Sequence, residues 1–412
     1  MNVSARTQNT WDKPYSRMLS VNERLWLAAD MISSPFALQM ICEGGGAVDI
    51  GEWRKAVELA SAANPGSRLR LRGRLNSCRW IDSEIAPPVR EVDGGSWSGY
   101  CSDNAPFLER SFNVTEGPTC EVLVIHGDPV RIAFRAHHAV MDTRGIMFWA
   151  EEIFRALQGK PLLGSYSSAT DWDVARSFQN NFRKPFPHDN LSLTGKAKGN
   201  EPGIVWGRKT IPGHFRQLLP QVAYHAAQEA RSHGQGNVRF AVPIDLRSRV
   251  QGLRSTGNLS IGIYIDVRPE TTIDEIGWDI AWQLREKRDC MIDRWDFIYR
   301  YIPISILGQE GSRRTTDNHS RGLYSLSGII SNAGRLSSKH FSGGGFECRS
   351  IFAIPPYFSY LPLLLWLYGT DEAVELVYAA PRVLATGGRL ESAMDRIISR
   401  LTPSETIAAY RF

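Results

Sequence analysis

The chain has 412 residues, 42% of them hydrophobic and 22% charged, and a formal net charge of +5. This excludes a low-complexity or disordered chain and leaves enough apolar material for two domain-sized cores. The charge excess is mild and dispersed, which argues against a nucleic-acid-binding surface. The six cysteines have no metal-ligand spacing and no Cys-x-x-Cys pair, so free thiols in a reducing, cytoplasmic setting are expected.

In chain order, the polar N-terminus shows no apolar leader. Ser20 and Glu23 make a capping-box pattern ahead of Leu25, Trp26 and Leu27, which predicts a helix from about residue 21. Residues 36–42 read as a strand. Gly44, Gly45 and Gly46 read as the turn that closes it, because no Gly-Lys-Ser/Thr follows to make a phosphate loop. Residues 53–63 read as a helix. Arg68-Leu69-Arg70-Leu71-Arg72-Gly73-Arg74 alternates like a strand with a solvated basic face. The alternative is a surface for an anionic partner such as CoA phosphates or an acidic carrier protein. Residues 121–125 form a further strand. From 159 to about 203, Pro, Ser, Gly and Asn dominate and periodicity fades, as in a crossover between halves.

Beyond it, helices are expected at 215–232, 276–295 and 388–401, and strands at 238–243 and 258–266. The polar stretch 309–321 reads as a flexible loop. Residues 351–369 carry no charge, but Pro355, Pro356 and Pro362 divide them. They read as two buried strands around a proline turn rather than a membrane helix.

The densest chemistry lies at His137-His138-Ala139-Val140-Met141-Asp142-Thr143-Arg144-Gly145. Before it, Val130, Ile132, Phe134 and Ala136 alternate with Arg131, Ala133 and Arg135, the pattern of a half-buried strand. That parity points His138 inward and His137 the other way. After it, Ile146, Trp149, Ala150, Ile153, Phe154 and Leu157 recur at helical spacing, with Asp142 as N-cap and Gly159 as stop. A histidine at a strand end beside a helix N-terminus suits acid–base chemistry. No His-Glu-x-x-His, Gly-x-Ser-x-Gly or Gly-x-Gly-x-x-Gly occurs, so zinc-hydrolase, serine-hydrolase and dinucleotide readings lack support.

The His-His-x-x-x-Asp-x-x-Gly string resembles that of the condensation-domain and chloramphenicol-acetyltransferase-like acyltransferases. These include nonribosomal peptide synthetase condensation domains, polyketide-associated acyltransferases and alcohol acetyltransferase-like enzymes. Ser20-Val21-Asn22-Glu23-Arg24, Val242-Pro243-Ile244-Asp245-Leu246-Arg247, Gly257-Asn258 and Ser331-Asn332-Ala333-Gly334-Arg335-Leu336 resemble other family segments, in the family's order. Many members carry Gly directly after the Asp, where this chain has Thr143, a change that bears on donor preference.

The resemblance implies an α/β fold of two chloramphenicol-acetyltransferase-like sandwich halves, a V-shaped pseudo-dimer with a central tunnel. The halves would span 1–165 and 204–412, with 166–203 as crossover. It implies acyl transfer from a phosphopantetheine thioester, on CoA or on a carrier protein supplied in trans, to a small-molecule hydroxyl or amine. His138 would be the general base. Asp142 would pair with an arginine, for which Arg247 is the candidate, and His137 would bond backbone around the turn. Gly145 would let the pantetheine arm approach the backbone. Ser331, Asn332 and the helix N-terminus after Asp142 are candidates to meet the oxyanion or the acceptor. No metal and no permanently bound cofactor is implied. A carrier-dependent amide synthase and a catalytically silent docking domain are the competing readings.

Overall fold

The computed structural model describes residues 14–178, 182–183, 189–370 and 372–403. The polar N-terminal stretch up to residue 13 and part of the 166–203 crossover lie outside them. Two mixed sheets organise the chain. The first has five strands in the order Phe346–Ile354, Ala37–Gly46, Val130–His137, Cys120–His126 and Val89–Asp93. The second has six, in the order Ser260–Asp266, Arg239–Asp245, Gly328–Arg335, Leu364–Gly369, Ala373–Pro381 and Ile204–Pro212. Helices Ile50–Ala63 and Thr143–Leu157 bury Trp53, Val57, Trp149 and Ile153 in the core of the first sheet. Helices Leu218–Arg231 and Arg389–Ser399 bury Val222, Ala226, Leu390 and Ile397 in that of the second. Two sheets, each with its own helices and apolar core, form a layered α/β architecture.

The strand Phe346–Ile354 pairs antiparallel with Ala37–Gly46, setting Ile351 opposite Cys42. A strand from beyond residue 204 therefore completes the first sheet, so the expected division of the chain is crossed by one element. The uncharged stretch 351–369 does hold two strand segments around its prolines, and they belong to different sheets. Among the described residues no helix is long and apolar enough to cross a membrane.

Several local expectations are corrected. Gly44, Gly45 and Gly46 continue the strand instead of closing it. A Cβ on Gly44 would lie 1.9 Å from the Glu347 carbonyl oxygen, so the glycines admit a close neighbouring strand. The supposed loop at 309–321 is helical, within Ile304–Arg321. Its polarity misleads because its buried contacts come from small or polar residues, Gly308, Thr315 and Asn318, with Gly308 and Gly311 against Met31 and Ile32. The helix expected to run to 295 stops at Arg285, and Lys287 then takes a left-handed conformation at φ +54°. The strand Val130–His137 is buried on both faces. Its arginines do not mark a solvated side. Arg135 is fully buried and donates to Gln39, Glu121 and the carbonyls of Leu108 and Arg110.

Candidate active site

Three features bring His138 to its place. The central strand Val130–His137 ends one residue before it, and its own amide donates to the Phe36 carbonyl at 2.9 Å. Asp142 then caps the helix Thr143–Leu157 by accepting from the Gly145 amide at 2.7 Å. A three-residue turn, 139–141, is left between strand and helix. It is pinned by Arg17, which donates to the Val140 carbonyl at 3.1 Å, and by Asn258, whose amide donates to the His138 carbonyl at 2.7 Å.

The imidazole is half-buried. It stacks on Trp26, with ring centroids 5.2 Å apart and planes 15° from parallel, and lies 5.8 Å from Phe36 and 6.3 Å from Phe358. Nδ1 lies 3.1 Å from the Met141 carbonyl oxygen. A carbonyl only accepts, so Nδ1 carries the proton and Nε2 holds the lone pair. Nε2 makes no hydrogen bond among the described residues. Burial lowers the His138 pKa to about 4, and His137 adds to that effect. The Met141 carbonyl and Asp142 act to raise it and are outweighed. At neutral pH the ring is uncharged and can take up a proton.

His137 behaves differently, and against the expected parity. It is the more buried of the two, 1% exposed, because the strand ends there and the turn swings His138 toward open space. Its Nδ1 accepts from the Ala139 amide at 3.1 Å, and Nε2 is 3.6 Å from Asp30. Burial would raise the Asp30 pKa; the nearby His137, with the bonds from Phe36 and Ser34, lowers it on balance.

Asp142 is 4% exposed and its carboxylate is saturated. Oδ1 accepts from the Gly145 amide and from Arg247 Nη2 at 3.0 Å; Oδ2 accepts from Arg247 Nη1 at 3.0 Å and from the Leu259 amide at 2.7 Å. Arg247 spends its remaining donors on Asp245 and on the carbonyls of Ser255 and Gly257. Burial works against its charge, but Asp142 and Asp245 outweigh it and raise its pKa. This fork joins the motif of the first half to the 245–259 segment of the second, and leaves Asp142 no lone pair for a ligand. Gly145 serves the same junction. A Cβ there would lie 2.2 Å from the Thr256 carbonyl oxygen. The 255–257 backbone therefore comes close to this glycine.

His138 lines a cavity of about 320 Å³ walled by both sheets. Thr143, Ser260 and Ser331 stand at the end it shares with a small outer pocket. Their hydroxyls make no hydrogen bond among the described residues. Trp26, Leu38, Pro356, Phe358, Leu361 and Leu364 make most of the rest apolar. Ser331 faces this space. Asn332 lines only the outer pocket, and its Oδ1 turns back to the Gly334 amide at 2.9 Å, so it is not brought to His138. A larger concavity, about 810 Å³, lies on the second half among paired charges and meets the His138 cavity at Arg183 and Tyr264. Size alone would select it. The convergence of a neutral base and unpartnered hydroxyls selects the smaller one.

Reading the sequence missed Trp26 and Phe358 as partners of the imidazole. Nothing local could reveal them, since each is separated from His138 by more than a hundred residues. Asn258 was visible as part of Gly257-Asn258, though not its bond to the His138 carbonyl. The basic run at 68–74 stands apart from this cavity: Arg68 pairs with Asp82 at 2.5 Å, and Arg72 donates to the Thr115 carbonyl at 2.6 Å.

No family model matches the chain, and no curated protein does. Solved structures do. The condensation domain of the monacolin K polyketide synthase is 11% identical and superposes with a TM-score of 0.60 over 93% of this chain and 97% of its own. The starter condensation domain of rhizomide synthetase, in complex with C8-CoA and Leu-SNAC, is 14% identical with a TM-score of 0.63 over 93% of each chain. The same domain in another structure is 15% identical with a TM-score of 0.56, over 93% of this chain and 95% of its own. At such identities the likeness is one of architecture, and across more than nine-tenths of its length this chain has the condensation-domain fold, that of two chloramphenicol-acetyltransferase-like halves.

Proposed function

We propose that this protein is an acyltransferase in which His138 is the general base. The donor is a phosphopantetheine thioester, on CoA or on a carrier protein, and the acceptor a hydroxyl or amine of a small molecule. One observation carries the reading: Nδ1 of His138 is committed to the Met141 carbonyl, which leaves Nε2 basic and unpartnered in a ring kept neutral by burial, at a cavity walled by both halves.

Nε2 takes the proton of the acceptor O–H or N–H as that atom bonds to the thioester carbonyl carbon. The tetrahedral oxyanion needs donors, and the Thr143 and Ser331 hydroxyls are the candidates facing the cavity. Collapse breaks the carbon–sulfur bond, and the departing thiolate takes the proton from Nε2. Asp142 and Arg247 hold the turn and touch no reacting atom. The division of labour between halves 1–165 and 204–412 is that the first brings the base and the second brings the fork and the Ser260–Ser331 wall.

The complex of the rhizomide starter domain with C8-CoA and Leu-SNAC favours a second reading, amide formation on an amino-acid thioester. One experiment separates the two and tests both. The same acyl group is offered on CoA and on a holo carrier protein, with mixed amines and alcohols, to wild type and His138→Ala. Transfer from acyl-CoA that vanishes in the variant supports a CoA-dependent enzyme. Transfer to an aminoacyl-SNAC included among the amines, from either donor, supports the second reading. Donor binding without transfer in either protein would make this a docking module.

A further inference from the structure

The cavity wall includes a tyrosine whose hydroxyl the protein leaves without a partner. Tyr360 lines the cavity in the 355–361 loop, beside Pro355, Pro356, Phe358 and Leu361. Its ring meets Phe358 edge-on with centroids 5.6 Å apart, and Phe358 meets His138 in the same way at 6.3 Å. Tyr360 therefore stands one aromatic ring beyond the base. Its hydroxyl makes no hydrogen bond among the described residues. Burial raises its pKa and no protein group opposes the shift, so the phenol stays a neutral O–H donor. The hydroxyl keeps some exposure, whereas the Ser359 hydroxyl and the Trp366 indole nitrogen are sealed off without a partner. Tyr360 is half-buried and lines the cavity with its hydroxyl unpartnered. Tyrosine hydroxyls set among apolar side chains ordinarily find a partner in the protein, so one left free in a cavity wall is available to something that enters.

The two ends of the space differ in chemistry. Thr143, Ser260 and Ser331 cluster at the end that continues into the outer pocket. That end suits the amides and hydroxyl of a pantetheine arm. A thioester carbonyl set at His138 then sends its acyl chain toward Trp26, Phe358 and Tyr360. We infer that Tyr360 is a specificity-determining residue: its hydroxyl donates to an oxygen carried on the outer part of the acyl chain, so this protein prefers oxygenated acyl groups to plain alkanoyl ones. The inference rests on the acyl-transfer reading above. A plain chain that reached Tyr360 would displace water from the hydroxyl and leave it unpaired, while an oxygen at the right carbon replaces that bond.

The test uses S-acyl pantetheines, the part common to CoA and carrier donors. Octanoyl-pantetheine is compared with oxo-octanoyl-pantetheines in which the ketone is moved along the outer half of the chain. Binding is read by tryptophan fluorescence, since Trp26 and Trp366 line the cavity. The proteins are His138→Ala, in which turnover does not intervene, and His138→Ala with Tyr360→Phe, which removes a single oxygen atom. Circular dichroism checks that both fold alike. One ketone position should bind roughly three- to tenfold more tightly than octanoyl in the first protein. In the second, the preference should fall to about onefold, with octanoyl itself binding no worse. If octanoyl binds but no ketone position gains, or the gain survives Tyr360→Phe, the assignment to Tyr360 is overturned and acyl transfer stands. If no acyl-pantetheine binds, both fall together.

Discussion

Asp142 and His138 sit four residues apart on one turn and have opposite surroundings. Every lone pair of the Asp142 carboxylate is taken, by two backbone amides and a two-pronged arginine. His138 has one nitrogen tied and one free, facing a cavity. The contrast teaches how to sort a motif by its hydrogen bonds. A buried polar group whose bonds are complete holds structure, and one whose bonds are incomplete beside open space is available to a substrate. Gly145 falls on the Asp142 side of that line, with the Thr256 carbonyl where a side chain would go. Thr143, Ser331 and Tyr360 fall on the His138 side.

The sharpest way to break the contrast is to exchange its consequences. His138→Ala should lower kcat by about 10²–10⁴-fold in the donor–acceptor assay while the thermal midpoint stays close to wild type. A midpoint that collapses, with activity lost only as the protein unfolds, would place His138 with the structural groups. Arg247→Ala should do the reverse. It strands a buried carboxylate and costs about 3–5 kcal/mol in urea unfolding, because Asp142 keeps its burial and loses half its donors. An unchanged unfolding midpoint would mean that the fork is dispensable to the fold. Gly145→Ala should fall below that, at about 1–3 kcal/mol, since a methyl group must displace the 255–257 segment or the helix N-terminus. Its effect on substrate KM should be no larger than its effect on stability predicts. A large KM increase in a protein of wild-type stability would support the pantetheine role expected of this glycine.

The same contrast explains what was legible beforehand. The capping box at Ser20 and Glu23, the Asp142 cap and the strand-to-helix passage around His138 are local, and each rests on residues within one turn of one another. The Asp142–Arg247 fork spans 105 residues and came into view only through a family resemblance. What failed, failed for physical reasons. Parity along 130–137 could not foresee that the strand ends at His137 and that the turn reverses which histidine is buried. A helix with few apolar residues looked like a loop, because small residues packed closely on a neighbour give no hydrophobic period. The exchange of Phe346–Ile354 into the first sheet left no mark on composition. Tyr360 lay in a stretch read as buried strand and turn, and only its missing partner sets it apart.

The mildest effect is also the one that distinguishes the two groups without mutating the site's architecture. Burial holds the His138 pKa at about 4, below the ordinary value of 6.5. The base is active when neutral, so kcat/KM should stay flat as pH falls from 8 through 6 and decline only as it approaches about 4. An exposed histidine would lose half its activity near 6.5. Stability carries the same sign. The unfolded chain binds a proton at its ordinary pKa and the folded chain resists it, so the contribution of His138 is whole above 6.5 and is lost as pH falls toward about 4. His138→Gln, which cannot titrate, should therefore narrow the gap between thermal midpoints measured at pH 7.5 and pH 5. An acid limb of kcat/KM centred near 6.5, unmoved by raising the donor concentration, would show that water reaches the imidazole freely, and the distinction between its surroundings and those of Asp142 would then rest on hydrogen bonds alone.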